Sequence, residues 1–207
     1  MTGVVITGGD APILDFIIDE LENADFIIAA DSGLDTLASY GFQPDLVMGD
    51  MDSVSEQNLC EIAEDKIIEY PADKDYTDTE LALDYLFKNG YSKRVLIGGG
   101  GGRLDHIIAL YSLFSKKYTP HLWITEKEKI LLIVDKFSIK LKKNTLISFF
   151  PVGNTVCRMT STGLKWKLDS LRWKIGDSGI SNIALKETIM VNMICGKLIM
   201  IISLGVR

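Results

Sequence analysis

The first part of the chain alternates two textures. Short continuous apolar runs ("VVIT" from Val4, "FIIAA" from Phe26, "LVM" from Leu46, "KIIEYP" from Lys66, "RVLI" from Arg94 and "HLWI" from His121) are separated by stretches with helical spacing. Runs of this length bounded by turn residues predict buried strands. Between them, helices are predicted through Ile17 and Leu21, from Gly33 to Tyr40 with Gly41 at the C′ position, over "TDTELALDYLFKNG", and over "RLDHIIALYSLF". The third opens with a capping box, Thr77 as cap and Glu80 three residues on, and Gly90 closes it. Strands alternating with helices imply a mostly parallel sheet covered on both faces.

From about Lys129 the pattern changes. "FSIKLKK", "LISFFPVG" and "LKWKLDSLRWKIGD" alternate apolar with polar residues or form short apolar runs with turn signals between them. That is the signature of an antiparallel sandwich. The last segment, Met190 to Val206, reads as two short strands joined by a turn at Gly196-Lys197. Asn192 and Lys197 interrupt it, so a buried β-hairpin is expected rather than a membrane span. The expected organisation is an α/β N-terminal domain over 1–128 and an all-β sandwich over 129–207, with the change between Thr125 and Asp135.

Composition narrows the function. A net charge of −6 and a pI near 5.0, with no Lys/Arg run, argue against a nucleic-acid-binding surface. Cys60, Cys157 and Cys195 are far apart and form no C-x-x-C, which reads as reduced thiols in a cytoplasmic protein. The N-terminal "MTGVVITGGDAP" lacks the basic region and apolar length of a signal peptide.

The candidate chemistry follows from where acids and glycines fall. Gly8-Gly9, Asp31, Gly49-Asp50 with Asp52, the group Asp73, Asp75 and Asp78, and Gly98 to Gly102 with Arg103 and Asp105 each lie just past the end of an expected strand. In a parallel sheet those ends share one rim, where ligands bind. Glycines let backbone N–H groups approach phosphates, and a following helix N-terminus favours an anion. Carboxylates beside a phosphate site imply a cation between them, and Mg²⁺ suits one or two carboxylates with phosphate oxygens. Arg103 is placed for bidentate phosphate contact. Taken singly, Asp78 and Asp105 also fit first helical turns, where the dipole alone favours a carboxylate. Asp73 and Asp75 fit a solvated loop, His106 a helix surface, His121 a strand entry after Pro120, and Trp173 the filling of the sandwich.

Six motifs in order then resemble the thiamine pyrophosphokinases: "DSGLD" from Asp31, "PDLVMGDMDS" from Pro44, "YPADKDYTDTELAL" from Tyr70, "GGRLDH" from Gly101, "GLKW" from Gly163 and "SGISN" from Ser178. The resemblance implies a homodimer that moves a pyrophosphoryl group from ATP to thiamine with Mg²⁺, releasing AMP. It implies metal and catalytic roles for Asp50, Asp52, Asp78 and Asp105 with Arg103. It places ATP against Asp31, Gly33, Ser53, Gly101, Gly102 and Arg103. It implies thiamine contacts at Trp166, Ser181, Asn182 and Asp78, the tryptophan reaching the partner subunit's site. One departure stands out. The family's first motif more usually reads D-G-G-A-N, and Asp35 puts a charge where the family has an amide. The alternatives are a Mg²⁺-dependent phosphohydrolase or nucleotidyltransferase, and a sensor without catalysis. Neither gives all these elements a role.

Overall fold

The computed structural model describes residues 1–205, so Val206 and Arg207, the end of the expected second domain, lie outside the described residues. The chain divides into two compact units. One comprises Met1–Leu113 with Lys117–Glu126, the other Phe114–Lys116 with residues from Lys127 onward.

The first unit contains β1 (Thr2–Thr7), α1 (Ile18–Glu22), β2 (Phe26–Ala30), α2 (Gly33–Ser39), β3 (Leu46–Gly49), α3 (Glu56–Leu59), β4 (Ile67–Glu69), α4 (Asp78–Lys88), β5 (Lys93–Ile97), α5 (Leu104–Ser112) and β6 (Leu122–Ile124). Its strands run β6-β5-β1-β2-β3-β4, and every pairing is parallel. The chain fills one side of β1 first, then returns to the other side at β5. This makes a topological switch point between β1 and β5, where a crevice opens beyond the strand ends. Val4, Val5, Ile6, Val95, Leu96 and Ile97 are fully buried. Burying each such side chain contributes ~1.5–3 kcal/mol.

The four expected helices form as α1, α2, α4 and α5, while the one-turn α3 was not expected. Thr77 Oγ1 accepts the Glu80 backbone N–H at 3.2 Å, and Thr79, Ala82, Leu83 and Leu86 turn one face of α4 into the core. α2 packs against β1 and β2. A Cβ on Gly33 would lie 2.1 Å from Ile6 O, so only glycine allows that approach.

The second unit contains β7 (Glu128–Ile133), β8 (Lys136–Lys140), β9 (Leu146–Val152), β10 (Arg158–Thr162), β11 (Gly179–Ile183), β12 (Thr188–Cys195) and β13 (Lys197–Ser203). One antiparallel sheet runs β11-β9-β13-β7, the other β10-β12-β8. Ile147, Phe149, Leu198 and Met200 from the first share a core with Met159, Ile189, Val191 and Met193 from the second. The α/β region and the antiparallel β region are both as the sequence implies.

Two local expectations are corrected. β12 and β13 do not form a hairpin: at Gly196 the chain leaves one sheet and enters the other. Both strands bury a face in the same core, so their patterns cannot say whether they pair or stack. The stretch from Leu164 to Ser178 is no strand, and forms only isolated bridges such as Cys157 with Trp173. Its alternation comes from Leu164, Leu168, Leu171 and Trp173 packing on the core without a ladder. Among the described residues no helix is long and apolar enough to cross a membrane.

Candidate functional site

The first unit holds a cleft of about 550 Å³ beyond the ends of β1, β2, β3 and β5. Two glycine loops form one wall. Gly99 N donates to Gly8 O at 2.8 Å, and Asp10 and Gly100 exchange backbone hydrogen bonds at 2.8 and 3.2 Å. The loop after β1 is thereby strapped to the loop after β5. A Cβ on Gly98, whose φ is 97°, would stand 2.3 Å from Thr7 O, so the strap needs glycine there.

Acids form the facing wall. Carboxylate oxygens of Asp31, Asp50 and Asp78 all lie within 4.8 Å of one another. Three elements deliver them: the end of β2, the end of β3 and the first turn of α4. The Thr7 and Thr79 hydroxyls meet at 2.7 Å in the core and fix that first turn against β1. Asp31 adopts φ 51° and Met51 φ 62°, left-handed conformations that cost a non-glycine residue on the order of 1–2 kcal/mol. Met51 is held there by packing against Ala29, Leu34 and Val47 with Val54 and Leu59. The methionine between Asp50 and Asp52 is therefore an anchor that lets Asp50 face the cleft, while the exposed Asp52 stands outside both the cleft lining and the acidic cluster.

The electrostatics follow from this crowding. Burial pushes the Asp78 carboxyl above the ordinary carboxylate range, against the pull of Lys74. The Asp52 backbone N–H, 3.3 Å from Asp50 Oδ1, holds Asp50 low. Asp52 is exposed; its side-chain hydrogen bond with Asp50, and then the Asp50 charge, raise it. Lys74 Nζ stands 3.2 Å from Asp78 Oδ1 and 3.6 Å from Asp50 Oδ2. Ser53 donates its hydroxyl to Asp31 Oδ2 in a short hydrogen bond. The other oxygen, Asp31 Oδ1, is buried and has no hydrogen-bond partner among the described residues. A buried carboxylate oxygen without a donor, on a residue clustered with two further carboxylates, fits a hard divalent cation.

The remaining expected residues fall in different places. Arg103 lines the cleft and Asp105 does not; the two form a bidentate pair, Nε to Oδ1 at 3.1 Å and a terminal nitrogen to Oδ2 at 2.6 Å. That pair holds Asp105 below the usual range. Asp105 stands outside the acidic cluster. Ser53, Gly101 and Gly102 line the cleft, while Gly33 is buried beside it and serves packing. His106 lines the cleft from an exposed position on α5. Lys74 and Asp10 also line it, and reading the sequence singled out neither. A signal existed for Lys74, the one cation in "DKDYTD", four residues before Asp78.

In the second unit Trp166 is 52% exposed, with Lys165 Nζ 4.5 Å from the centre of its ring. Asn182 is buried and grips the Trp166 backbone from both sides: its Oδ1 accepts Trp166 N–H at 3.1 Å, and its Nδ2 donates to Trp166 O at 2.7 Å. The amide thus positions the tryptophan. Ser181 is exposed with φ 59°, and its N–H donates to Ser148 Oγ at 3.2 Å. Trp173 packs on the sandwich core.

Comparison with known proteins decides the family. The model for "Thiamin pyrophosphokinase, catalytic domain" matches residues 18–125, and the one for "Thiamin pyrophosphokinase, vitamin B1 binding domain" matches residues 136–198. The chain belongs to the thiamin pyrophosphokinases, the enzymes that make thiamine diphosphate. It is 28% identical to the thiamine pyrophosphokinase of Bacillus subtilis (strain 168), over 96% of this chain and 97% of that one. The crystal structure of the Bacillus subtilis thiamine pyrophosphokinase superposes with a TM-score of 0.80, at 29% identity and 100% coverage of both chains. That of the thiamin pyrophosphokinase from Geobacillus thermodenitrificans gives 0.76 at 26% identity, covering 98% of this chain and 97% of the other.

Proposed function

We propose that this chain transfers the pyrophosphoryl group of ATP to the primary hydroxyl of thiamine, releasing AMP, in the cytoplasm and as a homodimer. The observation that carries the reading is the cluster of Asp31, Asp50 and Asp78 facing two strapped glycine loops across one cleft. A triphosphate fits between them only with a cation on the acidic side. Asp31, Asp50 and Asp78 would hold Mg²⁺, with Asp52 adjoining through Asp50. The bound ion would neutralise phosphate charge as the pyrophosphoryl group moves.

The chain's own residues do the rest. The glycine loops bring backbone close to the phosphates, and Arg103, with two of its N–H groups on Asp105, directs the others at phosphate oxygens. Asp105 therefore acts by holding Arg103 in place. Of the two carboxylates that the sequence left open as proton acceptor, Asp78 lines the cleft and Asp105 does not. Asp78 is therefore the one placed to take the proton of the thiamine hydroxyl, on an oxygen that it would not give to the ion. Alignment of hydroxyl and β-phosphorus supplies most of the remaining acceleration.

Trp166 offers an indole face to the flat rings of the thiamine cation. Two observations support its reaching a partner's cleft. α5 exposes an apolar stripe of Leu104, Ile108 and Tyr111 next to Arg103. Residues after Glu126 hold 14 of the 22 basic residues and only 5 of the 28 acidic ones, so opposite units of two copies attract. Incubating the protein with ATP, Mg²⁺ and thiamine and weighing the products tests the reading. Thiamine diphosphate with AMP supports it; ATP turnover that ignores thiamine contradicts it.

A further inference from the structure

Lys74 departs from its surroundings. Every other residue from Pro71 to Thr77 is exposed, while the Lys74 side chain keeps only 14% of its surface. Lysines normally leave their ammonium in water. This one turns inward, donates to Pro71 O at 3.1 Å, and sets Nζ against both Asp78 and Asp50. Burial alone would lower its pKa, but the two carboxylates outweigh that and raise it, so the ammonium stays charged.

The ammonium and a divalent ion want the same oxygens. Asp78 Oδ1 and Asp50 Oδ2 face Lys74, and both residues belong to the cluster that fits a hard cation. A second positive centre there repels Nζ and takes the lone pairs it uses. Driven from the carboxylates, the ammonium needs another anion, and in this cleft that anion is the nucleotide's phosphate. We infer that Lys74 is a displaceable counter-cation: it neutralises Asp50 and Asp78 in the free protein and passes to the phosphate oxygens when a metal nucleotide enters. This rests on the proposed function above.

One consequence concerns the order of loading. A bare metal ion must expel Lys74 into solvent with nothing to receive it. A metal nucleotide brings both the ion and the new partner. The free protein therefore binds divalent ions weakly, and the ion arrives with ATP.

The experiment measures Mn²⁺ binding by electron paramagnetic resonance, with and without ATP, in the wild type, Lys74→Gln and Lys74→Arg, each checked for folding by circular dichroism. Mn²⁺ serves as probe because carboxylate and phosphate oxygens take it as they take Mg²⁺. Without ATP, Lys74→Gln should bind Mn²⁺ about 10-fold more tightly than the wild type, as when one competing charge is removed. The same variant should raise the KM for ATP about 10-fold with the KM for thiamine little changed, since a charge-assisted phosphate contact is lost. Lys74→Arg should keep the weak affinity for bare Mn²⁺. If Lys74→Gln binds bare Mn²⁺ no better than the wild type while both bind it with ATP, the Lys74 inference fails and the metal site stands. If no variant binds Mn²⁺ even with ATP, the acidic site fails as well, and the proposed function loses its metal.

Discussion

Asp35 takes the Ser55 hydroxyl on Oδ1 at 2.6 Å and the Ser55 backbone N–H on Oδ2 at 3.1 Å. The same Oδ1 accepts Asn58 Nδ2 at 2.6 Å. The charge that departs from the family's usual motif therefore faces the start of α3, and it ties α2 to the loop carrying Asp50, Asp52 and Ser53. Burial would raise this carboxyl, but hydrogen bonds from Ser55 and Asn58 outweigh it and hold it below the ordinary aspartate value.

Asp35→Asn replaces an acceptor oxygen by a donor facing donors, and should cost about 1–2 kcal/mol, the range for hydrogen bonds to a charged group discounted for partial exposure. A depressed folded pKa stabilises the fold above the unfolded value and loses that contribution as pH falls through the folded one. Urea unfolding should show a constant gap between wild type and variant at neutral pH, closing as pH falls below the ordinary aspartate range. A gap that widens in acid would contradict the bracket.

The acidic cluster should be indispensable to turnover. Asp50→Asn and Asp78→Asn should each lower kcat by ~100-fold or more in a folded protein, as when charge stabilisation in the transition state is lost. Chelation should abolish activity in the wild type and Mg²⁺ restore it. Near-normal rates in both variants would remove the cluster from the mechanism.

Arg103 and Asp105 should act as a unit. Arg103→Ala should lower kcat/KM by about 100-fold and Asp105→Asn by about 10-fold, because the second only loosens the first. The double variant should be no worse than Arg103→Ala, since contacting residues are not additive. A fully additive loss would give Asp105 a separate role.

Trp166→Ala should raise the KM for thiamine by the equivalent of ~1–2 kcal/mol, the worth of a desolvated cation–π contact, and leave that for ATP nearly unchanged. Asn182→Ala should follow it in sign, because Asn182 holds the Trp166 backbone. Equal effects on both substrates would return Trp166 to a structural role.

The rim was legible because strand ends in a parallel sheet converge wherever they fall in sequence; Asp50, Asp78 and Arg103 could be placed on it by counting apolar runs. Asp31 could be placed there too, but not as a member of the cluster. That depends on its left-handed backbone and on which of its oxygens Ser53 takes. Lys74 was visible as the one cation in "DKDYTD", but the sequence cannot tell an ammonium in water from one turned inward. In the second unit, period-two alternation says which face is buried but not which strand is the neighbour, so the passage from β12 to β13 across the sandwich read as a hairpin.

Pyrophosphoryl transfer requires attack at the β-phosphorus, and the released nucleotide reports where attack fell. With ATP, Mg²⁺ and thiamine, mass analysis of the products should find AMP and thiamine diphosphate in equal amounts. A β,γ-non-hydrolysable ATP analogue should still donate, because its β,γ link stays whole. Accumulation of ADP with thiamine monophosphate, or an analogue that binds and does not react, would contradict pyrophosphoryl transfer.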